Sequence, residues 1–248
     1  MMKTMLITGA SRGIGAATAL LAAEQRFAVA VNYHQNKAAA DKVVAEIISA
    51  GGTAVAIQAD ISKEEDVIRL FSETDRLLGN LSSLVNNAGI LERQMRLEDM
   101  DAARLQRIFT ANITGQFLCA REAIKRMSLK HGGQGGTIVN VSSIAARTGA
   151  PNEYIDYAAS KGALDAFTIG LSKELAKEGI RVNAVRPAFI YTDIHAAGGE
   201  PGRIERIKDS IPLKRGGTVR EVAEAILWLA SEKSSYSTGT FIDVTGGK

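Results

Sequence analysis

Apolar residues in this chain gather in short unbroken runs, and each run is followed by a longer stretch whose apolar positions recur every three or four residues. The runs are Met5–Ile7, Ala28–Asn32, Thr53–Ala59, Leu84–Val85, Thr137–Val141, Ile180–Val185 and Phe241–Val244. Unbroken apolarity is how a strand reads when both of its faces are covered, as in a parallel sheet. Helical spacing fills the intervals. It predicts an alanine-rich helix over Ala16–Gln25, a second over Lys37–Ser49 with Val43, Val44, Ile47 and Ile48 as its stripe, and a third capped at Ser62 with Glu64 and Glu65 in its first turn. A single long helix follows over Asp101–Met127. Another carries Tyr157 and Lys161 and continues through Leu164, Phe167, Leu171 and Leu175, with Gly162 inviting the approach of another backbone. The last is Val219–Ser231. Strand and helix alternating at this interval predict an α/β fold, a doubly wound parallel sheet of about seven strands with helices on both faces. No repeat or linker divides residues 1–248, and Gly132–Gly136 is too short to be one, so one domain is expected.

In such sheets ligands bind beyond the carboxyl ends of the strands. The first strand runs into Thr8-Gly9-Ala10-Ser11-Arg12-Gly13-Ile14-Gly15. Glycines at 9, 13 and 15 permit a tight turn and let backbone N–H groups and a helix N-terminus approach a pyrophosphate. The spacing differs from the common G-x-G-x-x-G, and an ordinary turn is the competing account. At the end of the second strand, where an NAD site usually places a carboxylate on the ribose 2′-hydroxyl, stand Asn32-Tyr33-His34-Gln35-Asn36. A 2′-phosphate meets no repulsion there, and Arg12 could grip it with two N–H groups, so NADP is expected over NAD. Asp60, Asn86-Asn87-Ala88-Gly89 and Ser142-Ser143 end later strands on the same edge. The asparagine pair reads equally as turn chemistry.

Asn112 continues the apolar stripe of Leu105, Ile108 and Phe109, and a buried amide must be partnered by local backbone or serve the site. Tyr157 and Lys161 are four residues apart and so share a helix face. An ammonium near the phenol favours its ionised form, moving it toward use as an acid or base near neutrality; a snorkelling pair on a wet face is the alternative. From Tyr191 to Pro212 the spacing lapses around Gly198, Gly199, Pro201 and Gly202, with a short amphipathic piece at Ile204–Ile207. Residues 191–213 are read as a lid over the substrate, or else as a disordered loop.

Composition narrows the field. The net charge is +3, aromatics are 5%, and no basic run is interleaved with them, so nucleic-acid binding has no support. The one cysteine, Cys119, excludes an internal disulfide and a paired-cysteine metal site. No apolar run approaches membrane-spanning length, and a cytoplasmic enzyme is the expectation.

With the glycines, the Asn87 turn, the serine pair and Tyr157-x-x-x-Lys161 in this order, and Thr238-Gly239 and Asp243-Val244-Thr245-Gly246-Gly247 near the end, the whole chain resembles the short-chain dehydrogenase/reductase family. The likeness is to its compact single-domain branch, built on a Rossmann sheet. Val185–Thr192 and the lid resemble glucose-dehydrogenase-like bacterial oxidoreductases. The resemblance implies that Tyr157 is the acid/base, that Lys161 lowers its pKa and binds the nicotinamide ribose, that Ser143 holds the substrate oxygen, and that Asn112 holds a water linking Lys161 to solvent. For the cofactor it implies Gly9, Ser11, Arg12, Gly13, Ile14 and Gly15 at the phosphates and Asn32 and Tyr33 beyond them. Asp60 and Ile61 would flank the adenine, Asn87, Ala88 and Gly89 would lie by the adenosine-side ribose, and Ile190 and Thr192 would hold the carboxamide. It further implies no metal, a small carbonyl or alcohol as substrate, and a homotetramer built on the helices at Asp101 and Tyr157. Two departures stand out: Pro187-Ala188 where the family has Pro-Gly, and a serine-to-tyrosine interval one residue longer than in many relatives. With the extra residue placed between Arg147 and Asp156, Ser143 is preferred to Ser142. A catalytically silent NADP-sensing module of the same fold is the alternative function. An epimerase or dehydratase would need a larger C-terminal domain.

Overall fold

The computed structural model describes residues 2–248. Its seven strands are β1 (Lys3–Ile7), β2 (Phe27–Tyr33), β3 (Thr53–Gln58), β4 (Leu81–Asn86), β5 (Gly136–Val141), β6 (Ile180–Pro187) and β7 (Phe241–Val244). They pair in the order β3-β2-β1-β4-β5-β6-β7, every pairing parallel. The helices are α1 (Gly13–Glu24), α2 (Lys37–Ser49), α3 (Glu64–Leu78), α4 (Ala102–Phe109), α5 (Gly115–Met127), α6 (Ala145–Thr148), α7 (Ile155–Leu175), α8 (Ile194–Ala197), α9 (Arg203–Ile207) and α10 (Val219–Ala230). Side chains of one strand alternate between two cores, which is why the apolar runs are unbroken. Met5, Ile7, Val29, Val31 and Val139 pack under α1, α2 and α10, while Leu6, Ala30 and Ile138 pack under α3, α5 and α7.

Three local expectations are corrected. Lys63, not Ser62, is the residue before α3, because the Ser62 hydroxyl is spent on Asp60 Oδ1 at 2.7 Å. Among the described residues, no atom outside its own helix lies within 4 Å of where a Cβ on Gly162 would be. The helix expected over Asp101–Met127 starts where predicted, with Asp101 accepting from Arg104 N, but a π turn at Thr110–Thr114 divides it into α4 and α5. Such a turn puts one extra residue into the helix and re-aims the side chains beyond it. Here it buries Asn112 completely and brings Gly115 against the chain after β3, where a Cβ would lie 2.8 Å from the Ile61 carbonyl oxygen.

The interval between Ser143 and Tyr157 is taken up by α6 and a turn in which Gly149, Ala150 and Asn152 all have positive φ. Residues 191–213 are ordered, with α8 and α9 inside them, and Ile204 and Ile211 are buried. Charge holds this segment down. Arg203 bonds Glu153 and Glu200, its guanidinium 5.2 Å from the Tyr154 ring centroid; Arg206 and Gln94 also bond Glu200; and the Tyr154 hydroxyl donates to the Gly198 carbonyl.

Candidate active site

The strand order reverses between β1 and β4, and the crevice beyond their ends is lined by the glycine loop and Asn87. Asn87 knits the two together: its Nδ2 donates to the Thr8 carbonyl at 2.8 Å and the Gly9 carbonyl at 3.1 Å, while the backbone N–H groups of Asn87 and Ala88 both donate to Thr8 Oγ1. A Cβ at Gly15 would lie 2.5 Å from the Gly9 oxygen and 2.6 Å from Asn87 Nδ2, so this residue must be glycine for the loop to close. Gly9 and Gly13 hold left-handed φ, of 62° and 57°. Only Thr192 faces Gly13, 3.6 Å from where its Cβ would be.

The residues here fit a dinucleotide phosphate. Where α2, α4 and α10 are capped by Asn36, Asp101 and Thr218, α1 has neither a side-chain cap nor an acidic residue in its first turn. Its first N–H groups, near Ser11, Arg12, Gly13 and Ile14, thus keep their positive dipole end open to an anion. Arg12 is exposed, and among the described residues no group pairs with its guanidinium.

Asn32 and Tyr33 do not face outward. The Asn32 amide accepts from Gly9 N at 3.1 Å and donates to the Ile57 and Ala59 carbonyls, bracing the loop from inside, and Tyr33 is packed in the core. Burial of β2 to its last residue is the reason. Exposed His34 comes next, 3.6 Å from Asp60, whose other oxygen accepts from Ser62. Ile61 is buried beneath Gly115. The Ile190 carbonyl accepts from Thr192 Oγ1 at 3.3 Å and meets the His195 ring nitrogen at 3.0 Å, a contact that no sequence signal pointed to.

Further along the same edge, β5 and α7 bring the reactive groups together. The Ser143 hydroxyl, which donates to the Pro187 carbonyl at 3.5 Å and accepts from Ala145 N, lies beside the Tyr157 phenol, and Lys161 Nζ is 5.6 Å from the Tyr157 ring centroid. Ser142 points elsewhere, donating to Asp165 at 2.6 Å, so Ser143 is the serine beside the phenol. The buried Lys161 ammonium donates to the Val141 carbonyl at 2.7 Å. Gly89 sits against this group: its Cβ would be 3.3 Å from Asn112 Oδ1 and 3.6 Å from Lys161 Nζ. Asn112 Oδ1 accepts from Ile90 N at 2.8 Å, and its Nδ2 donates to the Ile90 carbonyl and Ser160 Oγ. The amide is therefore satisfied by protein alone, fastening the chain after β4 to α7.

The electrostatics differ from the expectation that Lys161 draws the phenol toward neutrality. Tyr157 is only half-buried as a residue, but burial of its hydroxyl dominates and pushes the phenol up to about 12, with Ser143 alone pulling the other way. Burial also lowers Lys161 to about 8, opposed by Asp165. The ammonium lies toward the ring, bonded to a carbonyl, and not against the phenol oxygen, so desolvation wins.

A family model described as enoyl-(acyl carrier protein) reductase, one of the short-chain dehydrogenase/reductases, matches residues 9–248. This chain belongs to the short-chain dehydrogenase/reductase family. It is 58% identical over 247 residues, covering 100% of each chain, to the uncharacterized oxidoreductase YgfF of Escherichia coli K12. It is 42% identical to a 3-oxoacyl-[acyl-carrier-protein] reductase of Synechocystis, covering 98% of this chain and 95% of that one. Among solved structures, acetoin dehydrogenase YohF of Salmonella typhimurium superposes with a TM-score of 0.88 at 35% identity, covering 100% of this chain and 97% of that chain. A dehydrogenase/reductase of Sinorhizobium meliloti 1021 gives 0.91 at 34%, covering 99% and 94%. As a short-chain dehydrogenase/reductase the protein is an oxidoreductase with the family's seven-stranded parallel Rossmann-like sheet, and the family uses NAD(P). Among the described residues no helix is long and apolar enough to cross a membrane, and no cluster of three metal-ligating side chains occurs.

Gly15→Ala forces the loop off Asn87 and should weaken NAD(P)H binding by about tenfold or more, roughly 1.4 kcal/mol, in calorimetric titration; an unchanged dissociation constant contradicts the close packing. For Lys161 the folded pKa lies below the ordinary 10.5, so between about 8 and 10.5 the unfolded chain binds the extra proton and stability rises with pH. Between about 8 and 9, below the range where the buried Cys119 thiol and Tyr157 phenol weigh the other way, urea midpoints of the cofactor-free protein should show this rise, and Lys161→Met should flatten it.

Proposed function

We propose that the protein is an NADP(H)-dependent oxidoreductase that interconverts a small carbonyl compound and its alcohol, with Tyr157 as acid/base. The observation that carries this reading is the convergence of the Ser143 hydroxyl and the Lys161 ammonium on the Tyr157 side chain. When bound, the nicotinamide supplies or accepts the hydride. Tyr157 hands its proton to the carbonyl oxygen in reduction and takes it back in oxidation, while Ser143 holds that oxygen and keeps the phenol turned toward it. A phenol pushed up to about 12 is protonated at neutral pH, so the free site is set as a proton donor. Lys161, charged below about 8, steadies the phenolate left behind. Gly9, Ser11, Gly13, Ile14 and Gly15 would hold the phosphates, Asp60 and Ile61 the adenine, and Asn87, Ala88 and Gly89 the ribose region. Ile190 and Thr192 would hold the carboxamide, Lys161 the nicotinamide ribose, and residues 191–213 would exclude water as a lid.

The preference for NADP rests on the unpaired Arg12 and on the absence of a carboxylate at the end of β2. The relatives named as 3-oxoacyl-[acyl-carrier-protein] reductase and acetoin dehydrogenase support a ketone/alcohol pair by their names. A carrier-bound substrate is the less favoured member of that class: Arg121, Lys125 and Arg126 are tied up with Glu64, Glu122 and Asp75 rather than presented as a free basic face. A homotetramer on α4, α5 and α7 fits the exposed Phe117, Ile155 and Ile169.

A panel of acetoin, diacetyl, acetoacetyl-CoA and aldoses with NADPH, and of the matching alcohols with NADP, followed at the nicotinamide absorbance, should reveal turnover. Tyr157→Phe should then lower kcat by about a thousandfold and leave the NADPH dissociation constant within about twofold. Turnover undiminished by that change would sink the assignment. Arg12→Ala should lower the NADPH-over-NADH affinity ratio about thirtyfold, the worth of roughly 2 kcal/mol of charged hydrogen bonding. An unchanged ratio would mean that Arg12 does not read the phosphate.

A further inference from the structure

Among the described residues, Asn112 is one of two side chains that reach from the α4–α5 segment to the loop after β4 and to α7 at once. The other is Arg104, two helical turns earlier. Its Nε donates to Asp156 Oδ2 at 2.7 Å and its Nη2 to Asp156 Oδ1 at 3.4 Å, while Nη1 donates to the Arg93 carbonyl at 2.7 Å. Both side chains are buried, the guanidinium 4% and the carboxylate 0% exposed. Asp156 Oδ1 in turn accepts the backbone N–H of Tyr157 at 2.9 Å. That N–H lies in the first turn of α7, where donors have no acceptor within the helix, and Tyr154, the residue before the helix, provides no side-chain cap. Asp156 therefore does the work of a missing cap, and Arg104 fixes the carboxylate that does it.

A buried ion pair is a weak means of stabilising a fold, since apolar side chains of equal volume often serve as well. It is a good means of fixing one geometry, because the planar guanidinium accepts few orientations. Here the geometry fixed is the root of the tyrosine. Tyr157 lies between Asp156, held by Arg104, and Ser160, held by Asn112. The two fastenings pin its backbone from both sides to one rigid element. The same two fastenings hold Ile90 and Arg93, the chain that passes Gly89 and Lys161.

We propose that Arg104 and Asp156 are positioning residues for Tyr157, holding the first turn of α7 so that the phenol meets its partner oxygen. This rests on the reading of Tyr157 as the acid/base. It predicts that misplacing the turn slows the chemical step without touching the nucleotide.

The test uses Arg104→Met, Arg104→Lys, Asp156→Asn and the double variant Arg104→Met/Asp156→Asn, with the panel carbonyl that the wild type reduces. Arg104→Met leaves a carboxylate buried without a cation. Its kcat should fall about tenfold to a hundredfold, the cost of a small misplacement, with KM and the NADPH dissociation constant within about twofold. Hydrogen exchange of the peptide spanning Tyr157, in the cofactor-free protein, should quicken. The double variant removes the stranded charge and keeps an acceptor for the Tyr157 N–H. It should recover the melting temperature but, lacking the guanidinium that orients residue 156, only part of kcat and of the slow exchange, as should Arg104→Lys. Asp156→Asn alone strands the cation and should lose kcat like Arg104→Met.

If Arg104→Met keeps the wild-type kcat, or if its loss is shared equally by KM and the NADPH dissociation constant, the inference fails. It fails also if the double variant regains the wild-type kcat, since the pair would then do no more than avoid a stranded charge. Should Arg104→Met not fold, Arg104→Lys and the double variant decide by the same readings. Active Tyr157→Phe, or a wild type that reduces nothing in the panel, overturns the reading of Tyr157 and the inference with it. Inactive Tyr157→Phe beside unaltered Arg104 and Asp156 variants overturns the inference alone.

Discussion

Parallel pairing of every strand is the constraint from which the rest descends. In a parallel sheet each connection must cross back over a face, so the turns that leave the carboxyl ends all gather on one rim. Thr8-Gly9, Asn87-Ala88, Ser142-Ser143 and Ala188 follow their strands onto that rim although they are up to 180 positions apart in the chain, from 8 to 188. The reversal of strand order between β1 and β4 then opens the crevice there and nowhere else along the sheet. Chemistry assembled from such distant positions needs only that each turn be held stiffly, which Asn87, Asn112 and Gly15 accomplish by contact with backbone.

Much of this was legible from residue types. Short unbroken apolar runs marked all seven strands, α2 occupies the interval its stripe marked, and the helix read from Asp101 begins there, with Asp101 as its cap. The residue pairs that meet in the crevice stood at strand and helix ends, where the alternation of elements already placed one rim. What could not be read was governed by contacts from elsewhere in the fold. The π turn at Thr110–Thr114 arises where α5 must sit against the Ile61 carbonyl, a neighbour 50 residues or so away in sequence. Ser62 has the right chemistry for a cap, but Asp60 is nearer and stronger as an acceptor. Asn32 and Tyr33 looked outward only because they end a run, whereas β2 stays buried to its last residue.

The electrostatic surprise has the same origin. Spacing puts Tyr157 and Lys161 on one face, but spacing says nothing of how dry that face is. Burial raises the tyrosine and lowers the lysine, each toward its neutral form, and the attraction between opposite charges cannot act while the phenol carries none. The serine hydroxyl, contributed by a different element, is the group that opposes this for the phenol.

Residues 191–213 are moored to Glu153 and Tyr154, the last residues before α7, through Arg203 and the Gly198 carbonyl. That segment and Tyr157 thus hang from a single stem. A shift of residues 191–213 pulls on the start of the helix that bears Tyr157, and substitutions that reshape the segment change that pull. In this architecture the one cannot be redrawn without disturbing the seat of the other.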